Sequence, residues 1–242
     1  MTVEGPTVNT AHTTDASVRE ERPDAERPDP ASAMEHRDAG RAPERPRRRL
    51  AWRTVDIVIA ALVAVFGGVL FWAWNALYGV ISAGFAAYPP AGGLVIGAWL
   101  IPGVLGALIV RRPGAAIFCE VLAAVGEALV GSVWGIAVLI SGILQGVGAE
   151  IGIALFGYRR FGVPVAMISG ALSGVFGTVN DAFISGSYAE WVIGWKLVYV
   201  LCGAVSGALL AGLVSWLLTR AVAATGALSG LSSRNAHREP VA

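Results

Sequence analysis

The sequence predicts an all-α membrane protein: six transmembrane helices in one bundle, both termini on the cytoplasmic side, and a disordered N-terminal tail. Three observations lead there. Hydrophobic residues make up 55% of the 242-residue chain and charged residues only 14%, where a soluble domain carries about 25% charged. The mean hydropathy is +0.63. The charges are also segregated, since 10 of the 18 Lys and Arg and 10 of the 17 Asp and Glu precede Val55. Finally, arginines punctuate the apolar remainder only in alternate connections, the mark of cytoplasmic loops.

Residues 1–50 are rich in Pro, Ala, Arg, Glu and Asp and show no apolar periodicity. Such a segment cannot bury enough surface to offset its chain entropy, so a disordered cytoplasmic tail is expected. No apolar stretch of signal-peptide type follows the N-terminus. The tail ends in Arg45 and Arg47–Arg49, a cluster suited to anionic headgroups. The membrane domain is expected over residues 51–228 and a polar C-terminal tail over 229–242.

The first helix is expected over residues 54–78. Ala60 and Ala64 form a small-residue pair in its arginine-side half, where another helix can approach closely. Its far end is aromatic and carries Asn75, with Phe71, Asn75 and Tyr78 on one face. Tyr88-Pro89-Pro90 stops the following loop from continuing a helix. The second helix, over residues 91–110, holds Trp99 and a kink at Pro102.

Residues 111–160 then form the hairpin around which the chain is organised. Basic pairs, Arg111-Arg112 and Arg159-Arg160, bracket two helices broken at Gly131-Ser132, with Trp134 at the turn. Inside lie Glu120, Glu127, Gln145 and Glu150. A carboxylate in hydrocarbon costs several kcal/mol, so each must face protein, water or a ligand. The fifth helix, over residues 163–183, ends in Asn180-Asp181. The sixth, over 191–220, stacks Trp191, Trp195 and Tyr199 on one face beside Lys196, the chain's single lysine. Gly203, Gly207, Ala211 and Ser215 repeat every four residues as a close-packing stripe.

With this topology one polar and aromatic set gathers at the end away from the arginines: Asn75, Tyr78, Glu127, Trp134, Asn180, Asp181, Glu190, Trp195, Lys196 and Tyr199. Aromatic plates with carboxylates and amides suit a flat, nitrogen-rich, cationic ligand such as an aminopyrimidine. Cys119 and Cys202 each stand alone in apolar runs and read as small core residues. All three histidines lie in the tails, so neither a metal centre nor a cofactor site is expected in the membrane domain.

The body from about Arg53 to Leu228 resembles the YkoE-type substrate-binding (S) components of energy-coupling factor (ECF) vitamin transporters. The stretches that carry the resemblance are FWAWNALYG (71–79), WLIPGVLGALIVRRPGAAIFCEVLA (99–123), GSVWG (131–135), QGVGAEIGIALFGYRRFGVPVAMISG (145–170), GAVSGALLAG (203–212) and TGAL (225–228). The resemblance implies the six-helix S-component bundle in the plasma membrane. It implies thiamin or its precursor hydroxymethylpyrimidine as ligand. It also implies a transmembrane coupling protein and two cytoplasmic ATPase subunits as partners, and no nucleic acid. Glu127, Trp134, Asn75, Tyr78, Asn180, Tyr199 and Trp195 are the expected ligand-binding residues. Ala60 and Ala64 match the small-residue pattern through which S components dock. The chain has no Walker motif, so ATP hydrolysis falls to the partners and the chain is not an enzyme.

Three other readings compete. An S component for a different vitamin would share the bundle, whereas one for a metal would call for histidine ligands near the mouth. A proton-coupled secondary transporter could use Glu120, Glu127 and Glu150 as a relay, but no internal repeat accompanies them. An intramembrane hydrolase built on Ser132 would need a nearby base, and no embedded histidine offers one.

Overall fold

The computed structural model describes residues 50–132 and 134–241, so the expected N-terminal tail lies outside them apart from Leu50. Six helical spans follow one another: α1 (Thr54–Ile81), α2 (Pro89–Val110), α3 (Ala115–Val130), α4 (Ala137–Ala154), α5 (Val163–Ile184) and α6 (Ile193–Ala224). Five, with α1 extended to Phe85, are long and apolar enough to cross a bilayer. The remaining one, α3, has 16 residues and rises about 24 Å at 1.5 Å per residue. Apolar side chains such as Leu62, Val65, Val69, Leu129, Ile136, Leu155 and Leu201 are exposed around the bundle, where lipid would cover them.

Three helices depart from plain α geometry. The first half of α2, Pro89–Leu100, is a 3-10 helix, and the α-helix begins only at Ile101. Pro102 therefore stands in the first turn of an α-helix, where its missing N–H costs nothing, and not at a mid-helix kink. The narrow 3-10 half lies against α6: a Cβ on Gly97 would sit 2.6 Å from the Ser206 carbonyl oxygen. Ser206 Oγ donates to the Leu94 carbonyl at 2.6 Å and accepts from the Gly97 N–H at 2.9 Å. Wider π turns occur at Asn180–Ile184, ending α5, and at Gly207–Leu213 within α6.

Lipid supplies no hydrophobic drive for helices to associate, so contact geometry and interhelical hydrogen bonds hold the bundle. Gly170 and Gly174 of α5 face Gly207 and Gly203 of α6 so closely that a Cβ on any of them would strike the opposite chain. Ser169 and Ser173 of α5 donate to the Ala149 and Gln145 carbonyls of α4 at 2.8 and 2.9 Å. The glycine stripes thus perform the packing role their spacing predicts.

The arginine end is closed by ionic and backbone bonds. Asp56, fully buried, accepts from the Arg53 N–H at 2.9 Å, capping α1, and from Arg112 Nε at 2.9 Å. Arg111 takes a left-handed backbone (φ 58°) and forms a two-pronged pair with Glu239 at 2.6 and 2.7 Å. Residues 229–241 are polar, as expected, but they fold back under the bundle. Leu228, Leu231 and Ala236 are buried beside Leu105, Ile109 and Cys119. Ser233 donates to the Ile109 carbonyl at 2.6 Å, and Arg220 to the His237 and Glu239 carbonyls at 2.7 and 2.9 Å.

Ala60 and Ala64, expected as a docking pair, are 0% and 1% exposed. Ala60 packs in the cluster with Leu105, Ile109 and Cys119, and its carbonyl accepts from the Cys119 thiol. The small size of Ala60 thus serves the approach of α1 to its neighbours in the same chain, while Ala64 lines an apolar groove between α1 and α3. The outward stripe of α1 is Leu62, Val65, Phe66, Val69 and Trp72.

Candidate functional site

A cavity of about 180 Å³ opens at the end of the bundle away from the arginines. Its wall draws on α1 (Phe71, Tyr78), α2 (Ile96, Trp99), α3 (Glu127), α4 (Ser141, Gln145), the π turn of α5 (Asn180, Asp181) and α6 (Tyr199). Trp134 and Tyr188 close it from the connections. The π turn matters here. Widening the helix by one residue per turn brings the adjacent Asn180 and Asp181 both to the cavity wall, a use typical of such turns.

The carboxylate of Glu127 is 1% exposed. Its Oε1 accepts from Asn75 Nδ2 at 2.6 Å and from Ser132 Oγ at 2.8 Å. Its Oε2 is buried without a partner, and so is Oδ1 of Asn180. Asn180 directs its NH2 to Ser141 Oγ at 3.0 Å and to Asp181 Oδ1 at 3.3 Å. Tyr199 donates to Asp181 Oδ2 at 3.0 Å. Two bare acceptors therefore belong to residues of a wall in which six aromatic side chains stand among aliphatic, small and polar ones. A buried acceptor without a donor costs about 1–3 kcal/mol, and a ligand bearing N–H groups would recover it.

The rings form two groups. Tyr78 meets Trp99 edge-on at 5.1 Å and Trp134 at 6.1 Å, while Tyr188 meets Tyr199 edge-on at 5.1 Å. Burial, the Tyr78 hydroxyl and the Asp181 carboxylate push the Tyr188 phenol up to about 12, so it stays a neutral donor at physiological pH.

Of the seven expected ligand residues, Glu127, Trp134, Tyr78, Asn180 and Tyr199 line the cavity. Asn75 does not line it and stands behind Glu127, also accepting from the Trp99 indole at 3.2 Å. Trp195 is not part of the lining either: it is 38% exposed and meets Tyr88 and Trp191 edge-on. Trp195 and Tyr199 share a face of α6 and Trp191, just before the helix, meets both edge-on, but of the three only Tyr199, one turn deeper than Trp195, reaches the wall. Lys196 points elsewhere, lying over the Phe183 ring with its Nζ 3.4 Å from the Ala189 carbonyl, and Glu190 is exposed. Sequence reasoning passed over Trp99 and Tyr188 as site residues. Trp99 had a signal, being the sole aromatic in the aliphatic and glycine run of α2.

The other two membrane carboxylates serve the backbone. Glu120 Oε2 accepts the Gly103 N–H at 2.6 Å, where the α-helical half of α2 begins. Glu150 accepts from Gly114 N and Ala116 N at 2.6 and 2.9 Å, supplying the cap that α3 lacks at its own N-terminus, and from the Tyr158 hydroxyl at 2.6 Å. Both satisfy amides that a helix start leaves without partners.

Comparison with known proteins places the fold in a family. Residues 55–176 match the family model of the ABC-type cobalt transport system, permease component. The chain is 34% identical over 184 residues to YkoE of Bacillus subtilis (strain 168), provisionally named an HMP/thiamine permease protein, covering 75% of this chain and 90% of that one. A crystal structure of an S-component of an ECF transporter superposes with a TM-score of 0.70 at 34% identity, covering 75% of this chain and 91% of the other. These relatives are transport subunits, not enzymes, and with its apolar helices the chain is a multi-pass protein of the plasma membrane. The chain belongs to the YkoE-type S components of ECF transporters.

Proposed function

We propose that this chain captures thiamin or its hydroxymethylpyrimidine precursor at an outward-facing pocket and passes it inward with ATPase partners. The observation that carries the reading is the bare Oε2 of Glu127, a residue that lines the cavity together with Tyr78, Trp99, Trp134, Tyr188 and Tyr199. An aminopyrimidine edge offers N–H donors to that oxygen and to Oδ1 of Asn180, while its ring lies among aromatic faces. At about 180 Å³, the space is smaller than the roughly 300–1,000 Å³ of drug-sized sites, which favours a ligand built on one or two small rings. The lining holds no His or Cys among the described residues, so its donor set suits an organic ligand better than the cobalt named in the family description. The positive-inside rule puts the arginine end in the cytoplasm and the cavity at the opposite face.

Delivery would require a transmembrane coupling protein and two cytoplasmic ATPase subunits. Docking through α1 would use the apolar groove that Ala64 lines with Ala61, Val65, Gly68 and Val69, opposite Leu122 and Gly126 of α3. An Ala61→Trp variant should lose co-purification with the coupling protein while keeping its ligand.

Binding of thiamin and of hydroxymethylpyrimidine to the purified chain, measured by calorimetry, tests the reading. Affinity below micromolar is expected, and Glu127→Gln should weaken it at least about tenfold, the worth of one charge-assisted hydrogen bond. Unchanged affinity in that variant would remove Glu127 from the site. No binding of either compound would reject the ligand class.

A further inference from the structure

We propose that Asn75 is the positioning residue of the site: oriented by the Trp99 indole, it holds Glu127 so that one carboxylate oxygen is occupied by the protein and the other is left for the ligand. Glu127 as the ligand's carboxylate is taken from the reading above; the bonding around Asn75 stands on its own.

Both polar atoms of Asn75 are engaged within the protein. Its Oδ1 accepts from Trp99 Nε1 at 3.2 Å, and its Nδ2 donates to Glu127 Oε1 at 2.6 Å. An amide can usually turn over, but here it cannot. The indole N–H only donates and an ionised carboxylate only accepts. Turning the amide would set NH2 against N–H and C=O against carboxylate oxygen, two repulsions in place of two bonds. Trp99 thereby fixes which end of Asn75 faces Glu127.

Ser132 completes the grip. Its Oγ donates to the same Oε1 at 2.8 Å and accepts from the Trp134 N–H at 3.2 Å. Two donors on Oε1 leave Oε2 as the oxygen the carboxylate has to offer, and Oε2 is the one without a partner. The same serine ties the backbone of Trp134 to the carboxylate. A wall ring and the acceptor are thus set in register by α1, α2 and the α3–α4 turn acting together.

A positioning role has a signature that neither a direct ligand contact nor a packing role shares. The full chain in detergent micelles is titrated with thiamin and with hydroxymethylpyrimidine as wild type, Asn75→Ala, Trp99→Phe, Glu127→Gln and the Asn75→Ala/Glu127→Gln double variant. Asn75→Ala should bind about tenfold more weakly, and Trp99→Phe, which keeps the ring but loses the N–H, should weaken binding in the same direction. The double variant should bind within about twofold of Glu127→Gln alone, because Asn75 acts only through Glu127. Losses that multiply would overturn the proposal.

A second readout needs no ligand. The Glu127 carboxylate stretch is isolated as the infrared difference between wild type and Glu127→Gln. Repeating that difference in the Asn75→Ala background should shift the band, and an unmoved band would overturn the proposal. Should wild type bind neither compound, the ligand assignment falls and the infrared band decides the role of Asn75 by itself.

Discussion

Buried carboxylates at the two ends of the bundle are treated in opposite ways. At the arginine end both oxygens of Asp56 and both of Glu150 have donors within the protein. At the cavity end Glu127 has two donors on one oxygen and none on the other. The cost of burying a charge is the same physics at either end. The fully satisfied carboxylates hold helices together, whereas at the cavity end one oxygen of a cavity-lining carboxylate is left over, the one proposed above for a ligand. Glu120, between them, bonds one backbone amide and leaves its other oxygen bare, but it does not line the cavity.

Breaking the satisfied end should cost stability and leave recognition alone. Glu150→Leu strips the acceptor from two backbone amides at the start of α3 and from the Tyr158 hydroxyl. At about 1–3 kcal/mol for an orphaned buried donor such as the Ala116 N–H, thermal unfolding in detergent should move down by roughly 5 °C. The folded fraction should keep its ligand affinity. A variant as stable as wild type would mean that water or lipid headgroups replace the carboxylate.

Glu239→Ala should act more weakly in the same direction. It removes the two-pronged partner of Arg111, which keeps its place over the Phe161 ring at 4.4 Å and its bond to the Leu108 carbonyl. A loss of about 1–3 kcal/mol is expected, read as a lower midpoint in thermal scans. Because Glu239 is partly exposed, added salt should narrow the gap between variant and wild type.

The smallest effect is expected at Trp195→Phe. Its ring packs on Tyr88 and Trp191 outside the cavity, so affinity for thiamin should stay within about twofold of wild type, less than the weakest useful hydrogen bond. A tenfold loss would place the ligand nearer the α6 mouth than the cavity indicates.

Legibility in the sequence followed the range of the interaction. Glu127, Tyr78, Trp134, Asn180 and Tyr199 could be found because the cost of a polar group in hydrocarbon marks it, and topology then sorts marked groups to one end. Trp195 sat on the right helical face, yet a face says nothing of depth. Ala60 and Ala64 had the right size, but small residues permit close approach by any helix, whether from the same chain or another. The stretch after Leu228 read simply as a polar tail because its buried apolar residues, Leu231 and Ala236, are too few to form a pattern.

What the sequence determined by itself was the class of molecule, the order of its helices and the end of the bundle at which polar and aromatic groups collect. Those follow from hydropathy, arginine placement and glycine spacing, all additive along the chain. Only the tertiary structure decided which atoms face one another: that Asn75 serves Glu127, that Glu150 caps a helix not its own, and that the C-terminal residues seal the arginine end. Hydrogen bonds are directional and join residues far apart in sequence, so their pairing exists only once the helices have packed.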